Sequence, residues 1–179
     1  MARREKMTIP QRVGDPLEID YSAPTADFGP LARDRIPVRS IRESDLRVLS
    51  AIDERITGRD RREYFERKLA EALSESDLRV SLVAELDGQP VGFIMARVDL
   101  GEFGRMDSAA VLDTIGIDPE FRGRGVGRAL LTQLLVNLSS LRVDKILTEV
   151  DWFDGDLLGF LARCGFRPST RLSFAYSLS

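Results

Sequence analysis

The hydrophobic pattern divides the chain into segments of two different periods. Val80, Leu82, Ala84 and Leu86 alternate with other residues and share one face of a period-two run, which predicts a strand. Asp87-Gly88 then supplies a hairpin turn, and an apolar return follows over residues 91–98. Helical spacing governs elsewhere. Leu49, Ile52 and Ile56 mark a first helix, with Ser44 as its expected cap and Gly58 as its stop. Phe65, Leu69, Ala72 and Leu73 mark a second, opened by a box-like cap of Asp60 and Glu63. The loop between these helices, residues 57–62, is arginine-rich and reads either as exposed helix-end charge or as a substrate contact. Val126, Leu130, Leu131, Leu134, Leu135 and Leu138 fall on one face of a third helix, whose amphipathic run covers 129–141. Short apolar runs predict strands at 37–41, 110–117, 145–151 and 171–178, and a short helix at about 156–163. The order is β-α-α-β-β-β-α-β-α-β, an α+β fold with a mixed sheet of about six strands and about four helices.

Residues 1–36 carry no periodic face, and Pro10, Pro16, Pro24 and Pro30 interrupt any long element. They read as an extended or partly disordered arm ahead of a folded domain at 37–179. The 179 residues make one domain with room for a real core, and 43% hydrophobic with 31% charged residues is a globular balance. A net charge of −3 argues against a nucleic-acid partner, which needs a basic face. A single cysteine excludes an internal disulfide framework and fits a reducing cytoplasm. The chain has no histidine, so histidine catalysis and the usual zinc sites are excluded. No apolar run is long enough for a membrane span, and the arginine-rich start lacks the apolar core of a signal peptide.

The candidate chemistry centres on Arg122-Gly123-Arg124-Gly125-Val126-Gly127-Arg128. A strand precedes this stretch and a helix follows it. The first N–H groups of a helix lack intrahelical partners, and its dipole leaves positive potential there, so this arrangement makes an anion site. The arginines add charge at the same spot, and a diphosphate is the first ligand to consider. The alternative is a solvated turn. The dinucleotide signature Gly-x-Gly-x-x-Gly with its βαβ unit fits poorly, and the Gly-Lys-Ser/Thr of a Walker loop is absent. The stretch resembles the coenzyme A signature of the GNAT N-acetyltransferase superfamily, Arg/Gln-x-x-Gly-x-Gly/Ala, met here by Arg122, Gly125 and Gly127. The element order is similar to that family from Pro37 to Leu178.

The resemblance implies a mostly antiparallel sheet whose strands at 111–117 and 145–151 splay apart around the pantetheine arm of acetyl-CoA. It implies that the backbones of Ile115 and Ile117 meet pantetheine, and that Arg122, Gly123, Arg124, Gly125, Val126, Gly127 and Arg128 hold the diphosphate. A backbone N–H near Ile117 would then face the thioester oxygen and stabilise the developing oxyanion. Glu149, in Leu147-Thr148-Glu149-Val150, resembles the glutamate of ribosomal-protein N-terminal acetyltransferases that acts as a base through water; it also reads as a plain outward strand carboxylate. Asp113 is second in line, and Asp151, Asp154 and Asp156 crowd the mouth, where they would attract a cationic acceptor. Many family members place a tyrosine acid where this chain has Leu161, so Tyr176 or water is expected to protonate the leaving thiolate. Cys164 is expected in the core.

The implied function is a cytoplasmic N-acetyltransferase that takes acetyl-CoA as co-substrate and needs no metal. Its acceptor is an amine, on a small molecule or a protein, with neither nucleic acid nor membrane as partner. The alternative is a CoA-binding sensor of the same fold with little turnover. The last strand, with Leu172, Phe174, Tyr176 and Leu178 alternating and no lysine or proline among them, forms an unguarded edge, which predicts cover by the arm or by a homodimer partner.

Overall fold

The computed structural model describes residues 36–73, 79–99, 108–170 and 176. Among them run β1 (Val38–Ser40), α1 (Leu46–Thr57), α2 (Arg62–Leu73), β2 (Arg79–Leu86), β3 (Gln89–Asp99), β4 (Ala109–Ile117), α3 (Val126–Ser140), β5 (Lys145–Leu147) and α4 (Gly155–Arg163). The expected order is met as far as α4. The arm expected at 1–36, save Ile36, and the strand expected at 171–178, save Tyr176, lie outside the described residues. The described sheet therefore has five strands, in the sequential order β1-β2-β3-β4-β5. The first four pair antiparallel and only β4–β5 is parallel, joined by the α3 crossover.

The sheet is buried on both faces, because its strands carry apolar residues in both phases. On one face Val80, Leu82, Ala84, Ile94, Ala96, Ala110 and Leu112 meet Val126, Leu130, Leu134 and Leu138 of α3. On the other, Val83, Phe93 and Met95 meet Leu49, Ile52, Phe65 and Leu69 of α1 and α2. Phe65 and Phe93 are fully buried and pack edge to face, ring centroids 5.4 Å apart. Burying each such ring contributes about 1.5–3 kcal/mol. Ile36 is also buried, in the α3-side core.

Three local expectations change. Ser44 does not cap α1; a single 3₁₀ turn, Glu43–Asp45, comes first, and the Asp45 carboxylate accepts from the Arg42 N–H at 2.7 Å. An aspartate whose carboxylate reaches a backbone N–H three residues back outcompetes the neighbouring serine, and Arg39 makes the choice firmer. Its guanidinium grips both Asp45 oxygens at 2.7 and 2.8 Å and holds Glu85 at 2.7 Å. Burial works against the Asp45 charge, but these bonds outweigh it and hold the carboxyl below its usual 3.8. The third helix begins at Val126, three residues ahead of its amphipathic run, because Gly125 takes the left-handed conformation (φ 88°) as N-cap. The strand expected at 145–151 stops at Leu147.

Candidate active site

The early end of β5 is the origin of the site. β4 pairs with β5 only at Ala109–Lys145, Ala110–Ile146 and Val111–Leu147. The root of this seam is clasped: the Asp144 N–H donates to the Ser108 carbonyl at 3.1 Å, and the Ser108 hydroxyl reaches the Arg142 carbonyl at 2.7 Å. One residue beyond the last pair, the Thr148 hydroxyl still donates to the Leu112 carbonyl at 3.0 Å. From there the two segments part, while β4 runs on to Ile117.

A β-bulge accompanies the parting. Thr114 pairs with Met95 but Leu112 pairs with Ala96, so Asp113 is the extra residue in β4. Beyond it, the Asp118 N–H donates to the Val91 carbonyl at 2.9 Å, directing that group toward β3. Successive backbone groups alternate in direction, so those of Ile115 and Ile117 turn to the open side. Such groups need partners when a ligand shuts out water.

β4 delivers the chain to the glycine turn. Asp118 caps a 3₁₀ turn, Pro119–Phe121, by accepting from the Glu120 N–H at 3.2 Å. Its carboxylate is buried and also accepts from Arg55, near the end of α1, at 2.7 Å. This pair went unread in the sequence, although Asp before Pro is a cap signal. Gly123 (φ 74°) and Gly125 then bend the chain into α3; a Cβ at Gly123 would stand in open space, and one at Gly125 would meet the Ile36 Cδ1 in ordinary contact at 3.8 Å. The first intrahelical bond runs from the Ala129 N–H to the Gly125 carbonyl, so the N–H groups of Val126, Gly127 and Arg128 lack intrahelical partners. Arg122, Arg124 and Arg128 are exposed around this end, with the Arg124 guanidinium 5.1 Å from the Phe121 ring centre.

Gly127 has a second duty. A Cβ there would meet the Ile117 Cδ1 at 2.9 Å and the Phe160 ring at 3.2 Å. Its bareness lets α3 approach β4 and α4 closely while its N–H stays at the helix end.

The remaining candidates are scattered. Glu149 is exposed on the segment that departs from β4. Asp113 has its oxygens engaged by Lys68 at 3.0 Å and Arg97 at 2.9 Å, with Arg79 at 3.8 Å. Tyr176 is 89% exposed. Leu161 is buried in the α3-side core, and Cys164 packs half-buried against it. Burial pushes the Cys164 thiol up against the opposing charges of Arg128 and Arg163. The arginine-rich loop is partly structural, since Arg61 grips the buried Asp53 carboxylate through Nε at 2.7 Å and through Nη2.

The end of β4–β5 pairing and the glycine-capped start of α3 thus leave two sets of backbone groups without partners inside the sheet or helix. The acetyltransferase (GNAT) family pattern matches residues 45–166, and the chain belongs to that family. It is an acetyltransferase that takes acetyl-CoA as co-substrate. Similar folds include an aminoglycoside acetyltransferase from an uncultured soil metagenomic sample, in complex with sisomicin (17% identity over 82% of this chain and 98% of that one, TM-score 0.66). Another is the aminoglycoside N-acetyltransferase AAC(6')-Iy in complex with CoA (17%, 79% and 94%, TM-score 0.66). A third is glucosamine-6-phosphate N-acetyltransferase from Arabidopsis thaliana (21%, 79% and 97%, TM-score 0.61).

Proposed function

We propose that this acetyltransferase passes the acetyl group of acetyl-CoA directly to a primary amine. The observation that supports this most is the parting of β4 from β5 immediately before the glycine-capped start of α3. In this reading the N–H groups of residues 126–128, with Arg122, Arg124 and Arg128, receive the diphosphate. Ile115 and Ile117 bond the amides of the pantetheine arm, and the Ile117 N–H receives the oxyanion as the amine attacks. The similar proteins named as N-acetyltransferases favour nitrogen as the acceptor atom.

The amine must arrive neutral. A lysine amine of pKa about 10.4 needs roughly 4.6 kcal/mol to shed its proton at pH 7, and an α-amine near 8 only about 1.4. Glu149 takes that proton through a water, and its exposure keeps it in contact with solvent. The leaving thiolate, with a pKa of about 8.5 by analogy with cysteine, tolerates departure without an acid. Tyr176 or water then reprotonates it. A two-fold dimer and a cytoplasmic location complete the reading; a monomer in sedimentation of the full chain overturns the dimer.

A second reading, a CoA sensor with little turnover, is favoured by the burial of Leu161 where many family members have a tyrosine acid. Release of free thiol with a panel of amines separates the two. Amine-dependent release supports the enzyme, and CoA binding without release supports the sensor.

A further inference from the structure

The connection from β5 to α4 displays an anomaly. Trp152, the chain's one tryptophan, is 81% exposed, and its neighbour Phe153 is 92% exposed. Large rings are ordinarily placed to leave water, and among the described residues no other two adjacent large hydrophobic side chains are exposed. The turn that presents them is firmly built. The Asp151 carboxylate accepts from the Phe153 N–H at 2.9 Å, and the Asp154 N–H donates to the Asp151 carbonyl at 3.0 Å. The Gly155 N–H donates to the Phe153 carbonyl at 3.0 Å, and Asp154 caps α4 through the Leu157 N–H at 3.0 Å. Glu149, Asp151, Asp154 and Asp156, all exposed, flank the rings along the chain, and no basic residue occurs between Lys145 and Arg163.

We propose that the Asp151–Asp156 turn is a docking platform for a basic polypeptide segment that carries the acceptor amine into the gap between β4 and the chain after β5. The charge is complementary, and aromatic faces attract ammonium and guanidinium groups, about 0.5–2 kcal/mol each according to desolvation. A small amine needs an enclosing pocket that covers most of its surface. Two projecting rings instead suit a partner that brings its own surface. The proposal names the acceptor class and rests on the acetyl-transfer reading above.

Trp152 makes the test direct, since its emission reports the platform with or without turnover. A synthetic peptide of alternating lysine and glycine with a free α-amine shifts the emission to the blue, and added salt removes the shift. The matching glutamate peptide leaves the emission unchanged. Phe153→Ala, its fold verified by unaltered CoA affinity in calorimetry, weakens the peptide about ten-fold and raises its KM in thiol release by the same factor. An unmoved emission with the basic peptide, or spermidine moving it as strongly as the peptide, overturns the proposal. Thiol release with simple amines but no emission change sinks the platform and leaves the acetyl-transfer reading intact. An emission change with no thiol release from any amine does the reverse.

Discussion

β4 has two edges, and they behave differently. Toward β3 it is paired along its whole length, from Ala109–Asp99 to Ile117–Gly92, with Ala110 and Leu112 buried under α3 and Gly116 against Phe93. Toward β5 it is paired over three residues and then released. One strand thus serves as framework on its closed edge and leaves backbone groups unpaired on its open one. In the proposed reading the energetic roles separate accordingly: the closed edge and the elements beyond it set stability, while the open edge and the glycine turn set binding and rate.

Substitutions on each side should therefore move different observables. The largest effect is expected at the turn. Gly125→Asp places a negative charge beside the diphosphate; at about 4 Å and an effective dielectric near 20 this costs roughly 4 kcal/mol, close to three orders of magnitude in CoA affinity. Calorimetry should find CoA binding lost while thermal unfolding stays cooperative. Unchanged affinity in the folded variant would remove the glycine turn from the open side's account. Next in size, Glu149→Gln should lower turnover at neutral pH about a hundred-fold, the lower end expected for a lost general base, with CoA affinity intact. Activity should recover in part as rising pH deprotonates the amine in solution. A pH–rate profile identical to the parent's makes Glu149 a plain carboxylate.

On the closed side, Asp45→Asn removes one partner of a largely buried ion pair and should cost about 3 kcal/mol of stability at pH 7, read by urea unfolding. The sign of its pH dependence is fixed. The folded Asp45 carboxyl lies below 3.8, so its contribution is complete above that value and fades as pH falls through and below it. The parent should lose stability in acid more steeply than the variant, and parallel curves would deny the pair its role. The smallest effect belongs to Gly116→Ala, whose Cβ would stand 2.6 Å from the Phe93 ring. Overpacking of this kind costs about 1–3 kcal/mol, with CoA affinity held within two-fold if the edges are independent. A large loss of affinity at unchanged stability would show the two edges coupled through β4.

Legibility from sequence cut across that divide. The closed side was readable because burial writes itself into period: Val80, Leu82 and Ala84 announce a strand, and Leu130, Leu134 and Leu138 a helix. The glycine turn was readable because its residue types are demanded by backbone conformation. Ion pairs were not, since Arg55 and Asp118, or Arg39 and Asp45 with Glu85, meet only through tertiary placement and leave no local spacing. The strand end at Leu147 was missed for a related reason. Val150 keeps the apolar rhythm because it packs against the core, although its backbone no longer pairs with β4. Side-chain periodicity records what is buried and is silent on which backbone groups have partners.

The extra residue at Asp113 gives β4 something like a reading frame. Upstream, even-numbered Ala110 and Leu112 face α3; downstream, odd-numbered Ile115 and Ile117 do, with Gly116 turned to Phe93. The same shift of phase decides which amides look into the gap. Side-chain exchanges that keep volume leave that frame alone, and deleting Asp113 itself would only restore plain alternation, whereas deleting a residue downstream of it in 114–116, such as Gly116, would point isoleucine at the Phe93 ring. Insertions and deletions of one residue should therefore be far less tolerated in this short stretch than point substitutions, even though much of it is only half-buried.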